Sequence, residues 1–399
     1  MPARLQTPAF FPATRQTAMD RLEVFAPRAG RHYQEARNHD LGPANRSNVS
    51  ALSPFLRHRL LTEREVLGRV HEVHEASAAY KFTSEVFWRT YFKGWLETRP
   101  SVWTRYQRDV EQKLGGLKGG LRKAFDEAVE GRTGIDCFDA WNEELTTIGY
   151  VHNHARMWYA SIWIHTLGLP WSLGADHFYR HLIDGDPASN TLSWRWVAGL
   201  HTRGKTYKAT ASNIRKYTDG RFDPGEALRG PADALDDDWN GQAGPAPEGD
   251  ETPGGLVFVL LHEDDLHPES HPGLTGAEVV GLAAVKATDR RSPRGAAEMP
   301  HAFTNEALED GLARAGAAYR VRGEVLDAAA LADAVRASGA EAVVAPWAPT
   351  GPTSEALDAL DLPVPLHRLQ RPEDTAAWPY CTKGFFALRK QIPTLMAAY

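Results

Sequence analysis

The spacing of apolar residues changes character past the middle of the chain. In the first part, segments such as 61–77, 83–97 and 138–168 carry apolar side chains at 3.6-residue intervals, with glycine or proline near their borders. In the last part, short apolar runs alternate with helical segments. The pattern therefore predicts an all-helical domain over residues 1–229 and an α/β domain over residues 256–399.

The order of elements defines the predicted α/β domain. Apolar runs of strand type lie at 256–261, 279–285, 317–322, 341–346 and 364–369, and helical segments lie at 303–316, 326–339 and 354–360. Strands that alternate with helices form an open, mostly parallel, Rossmann-like sheet. The domain has no GxGxxG sequence, so a dinucleotide site within it is not predicted. Residues 230–255, rich in proline, glycine and aspartate, are predicted to be a linker.

The net charge of −6 conceals an asymmetry between the two parts. Residues 1–235 hold 32 Lys and Arg against 26 Asp and Glu, whereas residues 236–399 hold 13 against 25. A basic part beside an acidic part fits a nucleic-acid-binding face. Ordinary variation between two domains explains the same asymmetry equally well.

Composition narrows the class of protein. The sequence has no run of 18 apolar residues and no apolar h-region near its N-terminus, so we expect a cytoplasmic protein without a membrane segment. Cys137 and Cys381, the only two cysteines, lie far apart. They indicate a reducing compartment and exclude a four-cysteine iron–sulfur cluster. We expect a monomer and no metal site.

The most informative chemistry lies between Gly149 and Trp196. An apolar helical segment there carries Asn153 and Arg156 three residues apart, on one helical face. A buried arginine needs a partner, so this face is predicted to meet an anion or a polar ligand. A second stretch, residues 184–196, reads DGDPASNTLSWRW. Carboxylates and an amide beside tryptophans suit a planar, polar-edged, redox-active ligand.

These two stretches resemble the flavin-binding core of the DNA photolyase and cryptochrome family, in which HNxxRM and DGDxASNxxxWxW surround FAD. Two further segments add to the resemblance. Residues 47–61, SNVSALSPFLRHRLL, resemble TSxLSPYLxxGxLS, and residues 84–92, SEVFWRTYF, resemble SELxWREFY. The resemblance implies FAD as the cofactor and UV-damaged DNA as the partner. It also implies light-driven repair of cyclobutane pyrimidine dimers by electron transfer from excited, reduced FAD.

The family's pattern assigns roles to individual residues. The residues that match FAD-contacting positions are Tyr33, Asn48, Ser50, Leu52, Ser53, Phe82, Glu85, Arg89, Asn153, Arg156, Asp184, Asp186 and Asn190. Those that match the lesion pocket are Glu85, Trp88, Asn153, Met157 and Trp196, and those that match an electron relay are Trp194 and Trp171. The third relay tryptophan would fall within residues 114–120, which contain none. The relay would then leave through another aromatic residue, or photoreduction would be slower.

The segment around Ser53 carries a local prediction of its own. Ser53 followed by proline is typical of an N-cap serine at a helix start, and with Ser50 it would form a cradle for the pyrophosphate. The sequence departs from the family at Val49, where threonine is usual, and at Arg59, where glycine is usual. Val49 lacks a hydroxyl donor, for which Asn48 is the suggested replacement.

Residues 380–395, YCTKGFFALRKQIPTL, resemble the end of the family's light-harvesting antenna domain. In the family that domain precedes the helical one, whereas here it follows. The chain is therefore predicted to be a circular permutation, which is tolerated where termini lie close together. The sequence does not specify an antenna chromophore.

Two alternative functions stay open. A cryptochrome-like blue-light receptor would use the same flavin for signalling without repair, although Asn190, the pair His152-Asn153 and Met157 match the cyclobutane-dimer type of photolyase. A more remote alternative is an NTPase, because residues 199–206, GLHTRGKT, satisfy the phosphate-loop pattern GxxxxGK[ST]. That interpretation needs a strand immediately before the loop and a helix immediately after it, and the local pattern favours neither.

Overall fold

The computed structural model of the chain describes residues 11–228 and 230–397. Residues 1–10, which carry part of the N-terminal segment considered above, lie outside the described residues, as do residue 229 and residues 398–399. The described part of the first domain is helical, as the apolar spacing predicts. Its helices are α1 (Arg15–Phe25), α2 (Arg31–Ala36), α3 (Ser53–Arg57), α4 (Glu63–Val73), α5 (Ala76–Glu97), α6 (Pro100–Gly116), α7 (Gly119–Val129), α8 (Asp136–Ile148), α9 (Asn153–Ser161), α10 (Trp171–His181), α11 (Pro187–Val197) and α12 (Ala211–Tyr217).

Local sequence sets several of these helix ends. A capping box starts α4, in which the Thr62 hydroxyl accepts from the backbone N–H of Glu65 and the Glu65 carboxylate accepts from that of Thr62. Gly149 ends α8 with a φ of 71°, a left-handed conformation that glycine adopts without strain. The single helix predicted over residues 138–168 is therefore wrong. The chain stops at Gly149 and begins a new helix, α9, at Asn153.

The last part of the chain forms a five-stranded sheet. Its strands are β1 (Leu256–His262), β2 (Glu278–Val285), β3 (Gly323–Val325), β4 (Ala342–Pro346) and β5 (Leu366–Leu369). Its helices are α13 (Glu298–Tyr319), α14 (Ala328–Ser338), α15 (Pro352–Asp358), α16 (Pro372–Ala377), α17 (Phe386–Arg389) and α18 (Ile392–Ala397). The strand order is β3-β2-β1-β4-β5, and neighbouring strands pair in parallel. The open, parallel α/β sheet predicted from the sequence is confirmed.

One predicted strand is wrong. The run 317–322 was expected to form a strand, but α13 continues through Tyr319 and ends at Arg320 in the left-handed conformation, with a φ of 59°. Two alanines, strong helix formers, extend the helix into this run. The strand forms only at Gly323, three residues after the helix end.

The helical domain packs against the carboxyl end of β1. In a sheet of this order, β1 and β4 flank the point where the winding reverses, and α/β proteins bind ligands in the crevice there. Here Arg57 donates to Asp264, and His58 Nδ1 lies 2.6 Å from the Glu263 carbonyl oxygen. Both Arg57 and His58 are buried. Side chains of the helical domain thus contact the strand end at which such a ligand would sit.

Arg59 adds a second buried link between the domains. Its guanidinium lies 3.2 Å from Asp265 and 2.6 Å from Asp374, and a third carboxylate, Glu63, is 3.6 Å away. The backbone of Arg59 has a φ of 47°, in the left-handed region that favours glycine. The family's usual glycine suits that conformation, whereas here an arginine adopts it and reaches the α/β domain.

The predicted linker, residues 230–255, forms turns and coil throughout its length. It is nevertheless fastened to the helical domain. Arg195, fully buried, donates to both oxygens of Asp237 at 2.6 and 2.9 Å, and the Gly244 N–H donates to the Thr98 carbonyl at 2.9 Å. Among the helices of residues 11–228 and 230–397, none is long and apolar enough to cross a membrane.

Candidate functional site

Asp184 gathers groups from two distant parts of the chain. Ser53 Oγ, at the start of α3, donates a hydrogen bond to Asp184 Oδ2 at 2.6 Å. Arg156 Nη2, on α9, donates to the same oxygen at 2.9 Å. Asp184 is buried, and its other oxygen, Oδ1, has no hydrogen-bond partner among the described residues. The carboxylate can therefore accept from one more donor.

Asp186 lies two residues farther on and caps α11. Its carboxylate accepts from the backbone N–H of Ser189 at 2.7 Å, which fixes the start of the helix. Arg89 Nη2 lies 3.6 Å and Lys93 Nζ 4.0 Å from Asp186 Oδ2. Burial alone would raise the pKa of Asp186, but Arg89, Lys93 and Arg57 outweigh it and hold the pKa below its ordinary value. The group is thus an anion at neutral pH.

The loop between these two aspartates is held by Arg57. Arg57 Nε donates to the Gly185 carbonyl at 2.6 Å, while the same guanidinium donates to Asp264 of the α/β domain. Arg291, also in the α/β domain, donates to the Leu182 carbonyl at 3.0 Å. The α/β domain therefore stabilises the Asp184–Asp186 loop, through Asp264 on Arg57 and through Arg291 on Leu182. Sequence reasoning missed this support, because nothing local to Arg57 indicates a partner more than 200 positions away.

The helix start near Ser53 differs from the prediction. Leu52, not Ser53, is the N-cap of α3, and Ser53 is the first helical residue. Its hydroxyl donates to Asp184 instead of capping the helix. The Ser50 hydroxyl accepts from the Leu52 N–H at 3.4 Å. The predicted cap is wrong because the helix starts one residue earlier, with the N–H groups of Phe55 and Leu56 donating to the Leu52 carbonyl.

Asn48 does not replace the missing hydroxyl donor. Its Nδ2 donates to the carbonyl oxygens of Ala36 and His39, at 2.9 and 2.7 Å. Both amide hydrogens are therefore engaged, and the buried atom without a hydrogen-bond partner is Oδ1, an acceptor. The suggestion that Asn48 replaces the donor missing at Val49 is therefore wrong. Asn48 can offer a ligand only a hydrogen-bond acceptor.

Several buried polar atoms of the predicted FAD-contacting residues lack hydrogen-bond partners among the described residues, and their donor or acceptor character can be compared with that of FAD. Within residues 11–228 and 230–397, Asp184 Oδ1 and Asn48 Oδ1 are buried acceptors without hydrogen-bond partners. Arg89 Nε and Nη2 are buried donors that form ion pairs, at 3.5 Å to Glu63 and 3.6 Å to Asp186, but no hydrogen bond to a described residue. Buried polar groups ordinarily have partners, so such a set marks a place for a polar ligand. FAD carries ribose hydroxyls and a ring N–H that donate, and phosphate and ring oxygens that accept. The residues present fit this cofactor.

Aromatic rings line up beside these polar groups. Tyr33 and Phe82 meet edge to face with centroids 5.2 Å apart, and Phe25 packs against both. Burial and Glu85 raise the pKa of Tyr33 to about 12, so its hydroxyl stays protonated. Glu85 itself lies 2.9 Å from both Arg37 and Lys81. A ligand that hydrogen-bonds Glu85 must therefore approach beside these two cations.

Trp88, on the same helix α5, already has an aromatic partner. Phe385 stacks on its indole with ring centroids 3.9 Å apart and planes inclined by 14°. Three other predicted lesion residues lie on α9 and α11. Trp196 stacks on Tyr207 at 5.6 Å, Met157 is half-buried, and Asn153 is exposed at the first position of α9. The expectation that Asn153 belongs to a buried helical face is wrong, because α9 starts there.

The predicted relay tryptophans lie in the core near α10. The Trp194 ring packs on Gly174, where a Cβ would come within 2.4 Å of it, one helical turn from Trp171. Trp171 contacts Trp239 of the linker with centroids 5.7 Å apart, and Arg195 lies over both rings. Trp239 is half-buried. Sequence reasoning missed Trp239, although a lone tryptophan in an acidic, mostly polar linker could have indicated it.

Asn190 and the phosphate-loop candidate complete the set of predicted positions. Asn190, on α11, is buried and donates to the Ala175 carbonyl at 2.8 Å. Residues 199–206 form turns after α11, and α12 begins only at Ala211. A phosphate loop requires a strand before it and a helix directly after it. The NTPase interpretation is therefore wrong.

Comparison with known proteins points to one family. Residues 82–226 match the protein family described as the FAD binding domain of DNA photolyase. The deoxyribodipyrimidine photo-lyase of Vibrio cholerae is 29% identical over 222 residues, 54% of this chain and 45% of that protein. The enzyme of the same name from Streptomyces griseus is 33% identical over 188 residues, 42% of this chain and 39% of that protein. A cryptochrome DASH of Idiomarina loihiensis is 27% identical over 214 residues, 48% of this chain and 45% of that protein. The chain thus spans less than half the length of each of these relatives.

Proposed function

We propose that this chain is a light-driven flavoprotein that repairs cyclobutane pyrimidine dimers in DNA, since residues 82–226 match the FAD binding domain of DNA photolyase. The observation that carries the proposal is the convergence of Ser53, Arg156 and Asp184, joined by hydrogen bonds of 2.6 and 2.9 Å. Unsatisfied buried donors and acceptors lie on Asp184 and Arg89. FAD, when bound in its reduced form, would supply the light-excited electron for dimer cleavage.

The chain's own residues would bind and orient the cofactor. Ser53 and Arg156 hold Asp184 so that its free oxygen faces one donor of the ligand. Arg89, whose Nε and Nη2 lie 3.5 and 3.6 Å from Glu63 and Asp186 without a hydrogen bond to either, would offset negative charge on the ligand. Asp186 keeps Arg89 and Lys93 in place. Tyr33 and Phe82 supply an apolar wall, and Asn48 supplies an acceptor. Ser50, Leu52, Asn153 and Asn190 complete the proposed FAD-contacting set.

The lesion pocket is proposed around Trp88. One face of its indole is covered by Phe385, so a pyrimidine would stack on the opposite face. Glu85 would accept a hydrogen bond from the pyrimidine edge beside Arg37 and Lys81. Met157 and Trp196, both half-buried, would add apolar contact, and the exposed Asn153 would close the rim.

Electron supply is proposed to run through tryptophans of the core. Trp194 lies against α10, which also carries Trp171, and Trp171 contacts Trp239. The third ring, absent from residues 114–120, would thus be supplied by the linker. The Arg195 charge between the two outer rings is balanced by its two hydrogen bonds to Asp237.

The domain order is part of the proposal. The α/β domain follows the helical one here, and its strand order β3-β2-β1-β4-β5 is that of a doubly wound sheet. We infer that it corresponds to the antenna domain of the family in a circularly permuted arrangement, and that the protein acts as a monomer. The contact of Arg57 and His58 with the end of β1 gives this domain a supporting role for the flavin loop.

A blue-light receptor is the second candidate. The observation in its favour is the stack of Phe385 on Trp88, which occupies one of the surfaces a lesion would use. The match to a cryptochrome DASH, at 27% identity, points the same way. Both functions need the same flavin.

Purification in the dark followed by an absorption spectrum tests the shared requirement. We expect flavin bands in the protein as isolated or after reconstitution with FAD. Arg89→Lys keeps the charge but loses the forked donors, and should lower the bound fraction. A folded protein that takes up no FAD would contradict both candidates.

A further inference from the structure

The end of the chain differs in charge from the domain to which it belongs. Residues 236–399 hold 25 acidic against 13 basic residues, yet residues 379–399 contain Lys383, Arg389 and Lys390 and no acidic residue. All three basic residues are exposed. This end of the acidic part is therefore positively charged, and its charges are accessible.

This basic stretch leaves the sheet and lies on α5 of the helical domain. Arg99 Nη2 donates to the Thr382 carbonyl at 2.8 Å. A Cβ on Gly94 would come within 2.8 Å of Cys381 Sγ, so the glycine permits the close approach. Phe385 then stacks on Trp88 at 3.9 Å. The charges are thereby placed beside the proposed lesion pocket.

Two aromatic rings next to these charges face solvent. Phe386 is 69% exposed and Tyr80, on α5, is 39% exposed. The Arg389 guanidinium lies 5.6 Å from the Phe386 ring centroid and 5.3 Å from that of Tyr80, and its Nε bonds the Tyr80 hydroxyl. The exposed Phe386 ring thus lies beside a cation, so one ligand could stack on the ring and meet the positive charge together.

We propose that the C-terminal surface, formed by Tyr80, Lys383, Phe386, Arg389 and Lys390, binds a DNA strand with unpaired bases beside Trp88. The proposal rests on the proposed function, since it places this strand next to a lesion pocket. Eight residues separate Tyr80 from Trp88 on α5, a distance of about 12 Å along the helix. That length matches about three to four nucleotides at roughly 3.4 Å each.

The charges and the exposed rings of the C-terminal surface favour an unpaired DNA strand over a paired duplex. Lysine and arginine without neighbouring acids attract phosphates, and exposed rings stack on bases of any sequence. A paired duplex keeps its bases inside the stack, so it would leave Phe386 unused. An unpaired strand, in contrast, uses the rings and the charges together.

Binding of the full-length protein to a labelled oligothymidine without any lesion tests the surface directly, with fluorescence anisotropy read across a salt series in the dark. Phe386→Ala should weaken binding by about five- to 100-fold because a base loses its stacking ring, and Phe386→Tyr should restore it. Affinity falls as salt rises, and each phosphate contact contributes about 0.7 to the steepness of log affinity against log salt. Replacing Lys383, Arg389 and Lys390 together by alanine should therefore make this dependence less steep by about 2.

The control removes the same number of charges elsewhere. Lys113, Lys118 and Lys123 are exposed on and between α6 and α7, and their joint replacement by alanine should leave affinity for the oligothymidine near the wild-type value. If the surface variants bind as the wild type does, or if the control triple loses as much as the Lys383 triple, the proposal is overturned.

A dimer-bearing oligonucleotide separates this proposal from the proposed function. Wild-type repair under light with reduced repair by Phe386→Ala supports both. Wild-type repair that Phe386→Ala and the basic triple leave unchanged keeps the proposed function and removes the C-terminal surface. A wild type that binds neither oligonucleotide overturns both.

Discussion

The hydroxyl of Ser53 donates a 2.6 Å hydrogen bond to the carboxylate of Asp184, although the two residues lie on segments far apart in the chain. Arg156 donates to the same oxygen, and the second oxygen has no hydrogen-bond partner in the part of the chain that the structure describes. A buried carboxylate with one free acceptor is costly unless a further donor fills it. We therefore expect the proposed cofactor to donate a hydrogen bond to the free oxygen of Asp184.

Asp184→Asn tests this interpretation of the free oxygen. The amide keeps the shape of the side chain but removes the charge that Arg156 and a ligand donor share. Hydrogen bonds to charged groups contribute about 1.5–3 kcal/mol, so the dissociation constant for FAD should rise about tenfold or more. Equilibrium dialysis with flavin fluorescence measures it. Asp333→Asn, on the exposed face of α14, is the matched control, and equal affinity in both variants would refute the assignment.

Arg59→Gly tests the link between the domains. Glycine relieves the left-handed backbone strain, about 1–2 kcal/mol, but leaves Asp374 buried without its arginine, which costs about 3–5 kcal/mol. The variant should lose about 2–3 kcal/mol of unfolding free energy, measured by urea denaturation.

Ala51→Gly is the control for strain, because Ala51 has a φ of 48° and no ion pair to lose. It should gain about 1–2 kcal/mol from the same relief of strain. If Arg59→Gly were as stable as Ala51→Gly, the ion pairs to Asp265 and Asp374 would not hold the domains together.

Trp239→Phe tests the proposed outer end of the electron relay. Phenylalanine keeps an aromatic ring beside Trp171 but is much harder to oxidise than tryptophan. Under blue light with an external reductant, bleaching of the oxidised flavin band should be several-fold slower than in the wild type. Trp347→Phe, in the α/β domain, should bleach normally. Unchanged rates in Trp239→Phe would exclude the linker tryptophan from the relay.

His201 gives a pH dependence with a defined sign. Burial, together with Arg195 and Arg99, lowers its pKa to about 4 from the ordinary 6.5, while its ring nitrogen contacts the Tyr91 hydroxyl at 3.2 Å. Between about pH 4 and 6.5, His201 is therefore protonated in the unfolded chain but neutral in the folded protein. Stability should fall as the pH drops from about 6.5 towards 4, by up to about 1.4 kcal/mol per unit for this residue.

Other buried groups act alongside His201. His181 and His271, with pKa values lowered to about 4, contribute in the same direction, whereas Glu97, whose pKa is raised to about 7 mainly by burial, opposes them. His201→Gln should reduce the slope of stability against pH, as read by thermal melts. His32→Gln, at an exposed position, should not change it. An unaltered slope in His201→Gln would show that the ring is not protected from protonation.

Local patterns were enough to locate the elements but not their partners. The 3.6-residue spacing indicated helical structure where α4, α5, α8 and α9 lie, and the short apolar runs found four of the five strands, because both depend on nearby residues. The single helix predicted over residues 138–168 failed at Gly149, whose left-handed φ ends α8. Whether a glycine ends a helix in this way depends on where the following segment packs. The stack of Phe385 on Trp88 and the bond from Arg57 to Asp264 join segments from different domains. No periodicity within either segment encodes such pairings.

Light-dependent repair tests the central claim most directly. The reduced, flavin-loaded protein is mixed with a dimer-bearing oligonucleotide, and recovery of pyrimidine absorbance is followed under blue light and in darkness. We expect recovery in light only, and we expect Trp88→Ala to keep its flavin but to bind the oligonucleotide about one to two orders of magnitude more weakly, because a stacking surface is lost. A flavin-loaded wild type that restores no absorbance under light would contradict repair and leave the receptor function in its place.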